Sequence, residues 1–175
     1  MKRRWIMTIV LWTLTFSAGV LGLIFETAWA QGGRPVVTVE TDKGNIIFEM
    51  YPDVAPKTVA RITDLIKQGF YNGLTFHRVE PGFVIQGGDP NGNGTGGSGV
   101  KLKAEFNKKP HLLGTVAMAR ANDPDSADSQ FYICLGPQPF LDGKYTVFGQ
   151  VTDKASLDVI QKIQRGDVMR KVTLK

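Results

Sequence analysis

After residue 35 the chain breaks into eight short runs rich in β-branched and aromatic residues, with no helix standing regularly between one run and the next. The runs are Val36–Thr41, Asn45–Met50, Leu74–Val79, Phe83–Gln86, Thr115–Ala119, Gln130–Leu135, Thr146–Val151 and Arg170–Leu174. A doubly wound parallel sheet needs a crossover helix between successive strands, so this pattern predicts a mainly β, antiparallel architecture. Asp42-Lys43-Gly44 between the first two runs is a hairpin signal. Pro56 opens a helix over Lys57–Gln68, where Val59, Ile62, Leu65 and Ile66 recur at helical spacing and Gly69 ends it. A second helix fits Ala155–Gln164, ended by Gly166. Pattern alone leaves sandwich and barrel open, although closure into a barrel would remove the exposed edges.

The first thirty residues follow a different logic. Lys2, Arg3 and Arg4 precede an uncharged, mostly apolar run from Trp5 to Phe25, and Ala28-Trp29-Ala30 follows. A basic start, an apolar middle and an A-x-A site describe a secretory signal peptide over 1–30, with cleavage expected after Ala30. The alternative is an uncleaved anchor, because residues 5–25 are long enough to cross a bilayer. Either reading puts residues 31–175 outside the cytoplasm, in the periplasm or an equivalent compartment, exported or membrane-anchored. What remains is one domain of 145 residues, enough to bury a core. Losing Lys2, Arg3, Arg4 and Glu26 lowers the formal net charge from +5 to +3, too mild to argue for nucleic acid. Lys101, Lys103, Lys108 and Lys109 form the one basic cluster and read as a solvated face. Cys134 is the only cysteine, so no intramolecular disulfide can form, and its apolar neighbours predict buried packing rather than a reactive thiol.

The stretch that carries chemistry is Phe76-His77-Arg78-Val79-Glu80-Pro81-Gly82-Phe83-Val84-Ile85-Gln86-Gly87-Gly88-Asp89. Side chains alternate faces along an extended segment, which predicts Phe76 and Arg78 on one face of a first strand and Val84 and Gln86 on one face of a second. The Pro81-Gly82 turn would bring the two strands together. Further aromatic and amide groups follow in Ser129-Gln130-Phe131-Tyr132-Ile133-Cys134 and in the run Phe140 to Gly149. Other chemistries fit less well. Gly92, Gly94 and Gly97 spell G-x-G-x-x-G, but Val100-Lys101-Leu102-Lys103 after them alternates like a strand, whereas a phosphate cradle needs a helix N-terminus there. His77, Ser126, Ser129, Asp125 and Asp128 could supply a hydrolase triad, yet no G-x-S-x-G occurs and Asp123–Ser126 reads as a turn-rich loop.

These motifs, in this order, make the chain from about Val36 to Leu174 resemble the cyclophilin family of peptidyl-prolyl isomerases. The resemblance implies a closed eight-stranded antiparallel β-barrel capped by two helices. It also implies rotation about X-Pro bonds, assisting exported proteins to fold, with no cofactor and no metal. Arg78 would be the catalytic donor. Phe83, Val84, Tyr132 and Leu141 would form an apolar cup for the proline ring, and Gln86 with the backbone at Ala119 and Arg120 would anchor the peptide. His77, Gly94, Gln130, Phe140 and Tyr145 match further groove positions. Four residues depart from the family pattern. Phe140 stands where cyclosporin-sensitive members carry tryptophan, which predicts weak cyclosporin binding. Tyr132 replaces a phenylalanine, and its hydroxyl needs a partner if buried. Tyr145 replaces a histidine, and Arg120 replaces an asparagine that acts mainly through its backbone. The expected partners are proline-containing polypeptides, with no nucleic acid, membrane contact only through residues 5–25 if these are retained, and a monomeric state. A non-catalytic module or chaperone that holds proline peptides in the same groove is the alternative.

Overall fold

The hairpin signalled by Asp42-Lys43-Gly44 is the first element of the fold, with β1 (Val36–Thr41) and β2 (Gly44–Met50) pairing Thr41 with Gly44 and Val36 with Glu49. The computed structural model describes residues 33–175, so the signal-peptide or anchor reading of 1–30 lies outside the described residues. Helix α1 (Pro56–Lys67) carries Pro56 in its first turn and buries Thr58, Val59, Ile62, Thr63, Leu65 and Ile66. Its cap residue, Ala55, has no side chain to satisfy the free N–H groups of the first turn. Glu105 does this from another part of the chain, accepting from Lys57 N–H (3.0 Å), Thr58 N–H (2.8 Å) and the Thr58 hydroxyl (2.7 Å). A carboxylate is favoured at a helix N-terminus by the dipole as well.

The remaining strands are β3 (Arg78–Glu80), β4 (Val84–Gly87), β5 (Thr115–Met118), β6 (Phe131–Cys134), β7 (Val147–Val151) and β8 (Lys171–Leu174), with helix α2 (Lys154–Ile160) before the last. Helix α2 is shorter than expected, and single 3₁₀ turns at Pro124–Ser126 and Pro139–Leu141 were not foreseen. All pairings are antiparallel, in the order β3-β4-β6-β5-β7-β2-β1-β8. Helix α1 packs against β8 and α2 against β2.

The sheet curls, but its ladder is open, with β3 and β8 as its two ends. The closed barrel of the sequence reading is therefore met only as eight antiparallel strands with two helices. The reason lies in β3, which is three residues long. The chain before it is not strand: Phe76 N–H donates to Asp167 O (2.9 Å) and Met169 N–H to Leu74 O (2.8 Å), around the single bridge Thr75–Val168. The change of partner between Phe76 and Arg78 also undoes their expected common face. Phe76 is fully buried in the main core, while Arg78 is exposed on the other side of the sheet, because alternation holds only within one continuous strand.

Two apolar clusters lie on opposite faces. The larger holds Val37, Ile46, Phe48, Ile85, Val116, Met118, Phe131, Ile133 and Phe148 with the buried faces of both helices. The smaller holds Val84, Ala117, Tyr132, Cys134, Leu141 and Val147, with Phe83, Ala119 and Tyr145 packed against it. Cys134 is buried as expected, and burial pushes its thiol up to about 12.

Candidate functional site

The Pro81-Gly82 turn sets β3 antiparallel to β4, pairing Arg78 with Gln86 and Glu80 with Val84. Gly82 has φ +73°, a conformation that glycine adopts without strain. Arg78 then donates from Nη1 to Gln86 Oε1 (3.3 Å), keeps its Nε 3.6 Å from Glu80 Oε1, and lies 5.5 Å over the Phe83 ring. Gln86 passes the contact on, donating from Nε2 to Gln130 Oε1 (2.9 Å). Gln130 Nε2 in turn donates to the carbonyls of Gly94 (3.0 Å) and Gly96 (2.8 Å). A line of hydrogen bonds thus runs from the guanidinium to the glycine-rich loop.

That loop is held from inside by Asp89, whose carboxylate accepts from the N–H groups of Asn91, Asn93 and Gly94. Burial would raise the pKa of Asp89, but these donors outweigh it and hold the carboxyl below its ordinary value. Gly96 has to be glycine, since a Cβ there would stand 2.1 Å from Asp89 Oδ1. Asp128 accepts similarly from Ser98 N–H (2.7 Å) and Gly99 N–H (3.1 Å). The loop amides of Asn91, Asn93, Gly94, Ser98 and Gly99 are thus engaged by two carboxylates, and no helix starts at the end of the loop, so it lacks the helix N-terminus of a phosphate cradle.

Arg78, Phe83, Val84 and Gln86 form one side of a cleft of about 140 Å³, and Ala119, Arg120, Tyr132, Leu141 and Tyr145 form the rest. A register shift between β5 and β7 at Val116/Ala117 lies beside it; such bulges re-aim side chains near functional sites. The cup residues are therefore together. Four other expected groove residues stand apart from this cleft. Gly94 and Gln130 line a neighbouring recess of about 250 Å³ that shares Gln86, Ala119 and Arg120 with it. His77 lines a recess of about 310 Å³ with Arg78, Gly94 and Arg165. It is buried with Nδ1 unpartnered, and burial lowers its pKa. Phe140 is 58% exposed and stacks on Phe83 at 5.8 Å, so it meets the cleft only through that ring.

Arg120 does more with its side chain than expected. Its guanidinium donates to Lys144 O (3.0 Å), Ala121 O (2.8 Å) and Asn122 O (3.1 Å), and lies 4.6 Å over the Tyr145 ring. It pins the segment carrying Tyr145 to the end of β5. The backbone N–H of Ala119 donates to Gln130 O (2.9 Å).

Sequence reasoning missed His111. Its side chain is fully buried behind Tyr132, with Nε2 3.0 Å from the Tyr132 hydroxyl and Nδ1 2.9 Å from Asp142 Oδ1. The one available signal was indirect: a tyrosine in an apolar cup must find a partner for its hydroxyl. Burial raises the Tyr132 phenol well above its ordinary value, so it stays protonated.

Residues 36–175 match the family described as cyclophilin type peptidyl-prolyl cis-trans isomerase/CLD. A peptidyl-prolyl cis-trans isomerase of Synechococcus elongatus is 51% identical over 129 residues, covering 74% of this chain and 88% of the relative. Peptidyl-prolyl cis-trans isomerase B of Bacillus subtilis is 48% identical over 136 residues, covering 77% and 93%. Among solved structures, a cyclophilin-type peptidyl-prolyl cis-trans isomerase of Cryptosporidium parvum, in the presence of the dipeptide Ala-Pro, superposes with a TM-score of 0.74. It is 28% identical, over 80% of this chain and 98% of that one.

Proposed function

The chain belongs to the cyclophilin-type peptidyl-prolyl cis-trans isomerase family, and from that membership we propose that the Arg78 cleft is where it catalyses rotation about X-Pro bonds, in exported proteins as they fold. The observation that carries the assignment is the Arg78 guanidinium, lying over Phe83 and against Gln86 beside an apolar cup of Val84, Tyr132 and Leu141. Nothing in that arrangement calls for a nucleophile. The X-Pro bond resists rotation because amide resonance gives it a barrier of ~18–20 kcal/mol, so a catalyst has only to favour the twisted amide. Twisting removes resonance, returns a lone pair to the prolyl nitrogen and makes the carbonyl less polar. The cup holds the proline ring while the preceding carbonyl swings. Arg78 donates an N–H to the nitrogen as its lone pair appears, a task suited to a group that stays charged and whose fork is rigid. No proton is transferred. Gln86 and the backbone at Ala119 and Arg120 hold the peptide on either side, so that rotation occurs about one bond. A rate gain of ~10⁶ requires about 8 kcal/mol of differential stabilisation, which donor, cup and anchors supply together.

Three further readings accompany this one. Export is supported by the basic, apolar and A-x-A succession of residues 1–30. Weak cyclosporin binding is supported by Phe140, which lacks the donor of an indole. The curled sheet closes, in this reading, along the Thr75–Val168 seam that steadies the approach to Arg78. The test of the central assignment is an isomerisation assay on purified residues 31–175 with an X-Pro peptide, beside Arg78→Ala. Fast turnover that survives the substitution would sink the role given to Arg78; no turnover in the wild type would sink the assignment itself.

A further inference from the structure

Three side chains form a hydrogen-bonded chain behind the proline cup, and each is tied to a different wall of the cleft. Asp142 follows Leu141 directly and accepts twice from His111, from its backbone N–H (2.8 Å) and from its ring (2.9 Å). These bonds hold the Asp142 carboxyl below its ordinary pKa. A carboxylate only accepts, so Nδ1–H donates to it, and in the Nδ1–H tautomer Nε2 accepts from the Tyr132 hydroxyl (3.0 Å). The His111 ring also stacks on Tyr132 (6.0 Å, 17°) and meets the Tyr145 ring edge-on (6.5 Å, 81°). One imidazole therefore touches two rings of the cleft and is bonded to the neighbour of a third wall, Leu141.

We propose that His111 is the positioning residue of the prolyl site. By accepting from Tyr132 and donating to Asp142 at once, it sets the floor of the cup against its Leu141 wall. It also turns the Tyr132 hydroxyl into the protein, so that the cup presents an apolar ring face to proline. The inference rests on the assignment of this cleft as the prolyl site. Tyr132 is 5% exposed and its visible face lines the cleft. Without His111, a buried hydroxyl left unpaired is costly, and the ring relieves it by swinging toward the water of the cleft. Small misplacements of binding groups are expensive in rate. Leucine and glutamine keep the backbone N–H that donates to Asp142, so a loss of rate in those variants reports on the side chain.

The test compares His111→Leu, His111→Gln and His111→Leu/Tyr132→Phe with the wild type in the X-Pro peptide assay. His111→Leu is expected to lower kcat/KM by about tenfold. Glutamine can donate to Asp142 and accept from Tyr132, so His111→Gln is expected to stay within about threefold of the wild type. The double variant is expected to recover most of the loss, because the hydroxyl that lacked a partner is gone. A plain structural role would instead lower the unfolding midpoint of His111→Leu with kcat/KM per folded molecule unchanged, and that result overturns the proposal. Full activity in His111→Leu, or a double variant no faster than the single, overturns the proposal. An inactive wild type overturns the assignment of the cleft and this inference with it, so the two failures are distinct. Should His111→Leu not fold, ¹⁵N NMR of the wild type decides: a protonated Nδ1, with an Nε2 shift that moves in Tyr132→Phe, supports the chain. A proton on Nε2 overturns it.

Discussion

Along β2 burial alternates, with Ile46, Phe48 and Met50 facing the core while Asn45 and Ile47 face water, whereas along β5 and β6 every residue is buried. The first flank is an ordinary antiparallel surface with one wet face. The second is covered twice. Val116, Met118, Phe131 and Ile133 join the main core, and Ala117, Tyr132 and Cys134 face the other way, under Leu141 and Tyr145. An apolar outer face survives on that flank because the Pro139–Tyr145 segment closes over it. The cleft is what the closure leaves open. The difference teaches where a functional surface can be read from burial alone: on the side where the sheet has no wet face.

The largest effect expected comes from placing the same charge on the two outer faces. Cys134→Asp puts an unpaired carboxylate into the second cluster and should cost at least about 3 kcal/mol, enough to prevent folding in a marginal domain. Ile47→Asp on the wet face should cost about 1 kcal/mol, within the range of strand preferences. Urea unfolding of both variants checks this, and equal losses would erase the distinction between the flanks. Next comes Arg78→Ala. Removing one transition-state donor should lower kcat/KM by about 10²–10³, while the unfolding midpoint stays put because the side chain is exposed. A large drop in stability would mean that the guanidinium supports the fold rather than the reaction.

Glu105→Ala should show the opposite split. Losing the cap on α1 is expected to cost about 1 kcal/mol with kcat/KM unchanged, since α1 buries its face in the main core away from the cleft. A matching fall in turnover would show the two clusters to be coupled. The smallest effect concerns the loop beside the cleft. Asp89 has its pKa depressed below 3.8 in the folded protein. It therefore stabilises fully above that value and loses the contribution as pH falls toward its folded pKa. Thermal unfolding between pH 5 and pH 2.5 should accordingly be less steeply acid-sensitive in Asp89→Asn than in the wild type. Identical slopes would show that the loop gains nothing from that carboxylate.

Much of this molecule was legible before folding, but unevenly. The span Val36–Thr41 appears unchanged as β1, and α1 ends one residue short of the sequence reading. Both are elements whose own periodicity or turn chemistry decides them. The residues of the cup were all named from the family resemblance, and they line one cleft. Phe76 and Arg78 were misread as sharing a face, because the chain changes partners between them and no local pattern records that. The helix over Ala155–Gln164 stops at Ile160, where Lys162 N–H turns back to Val159 O (2.9 Å).

Strand count, antiparallel class, the burial of Cys134 and the glycine loop next to an arginine strand all follow from residues that are neighbours in the chain. Their physics operates over a few positions. The cap on α1 comes from Glu105, 47 residues beyond Thr58, and the partner of the Tyr132 hydroxyl from His111, 21 residues before it. Such pairs exist only once the strand register has brought distant segments within hydrogen-bonding reach. The buried second face of β6, and with it the cup, was likewise decided by tertiary structure, because burial belongs to what covers a side chain and not to the side chain itself.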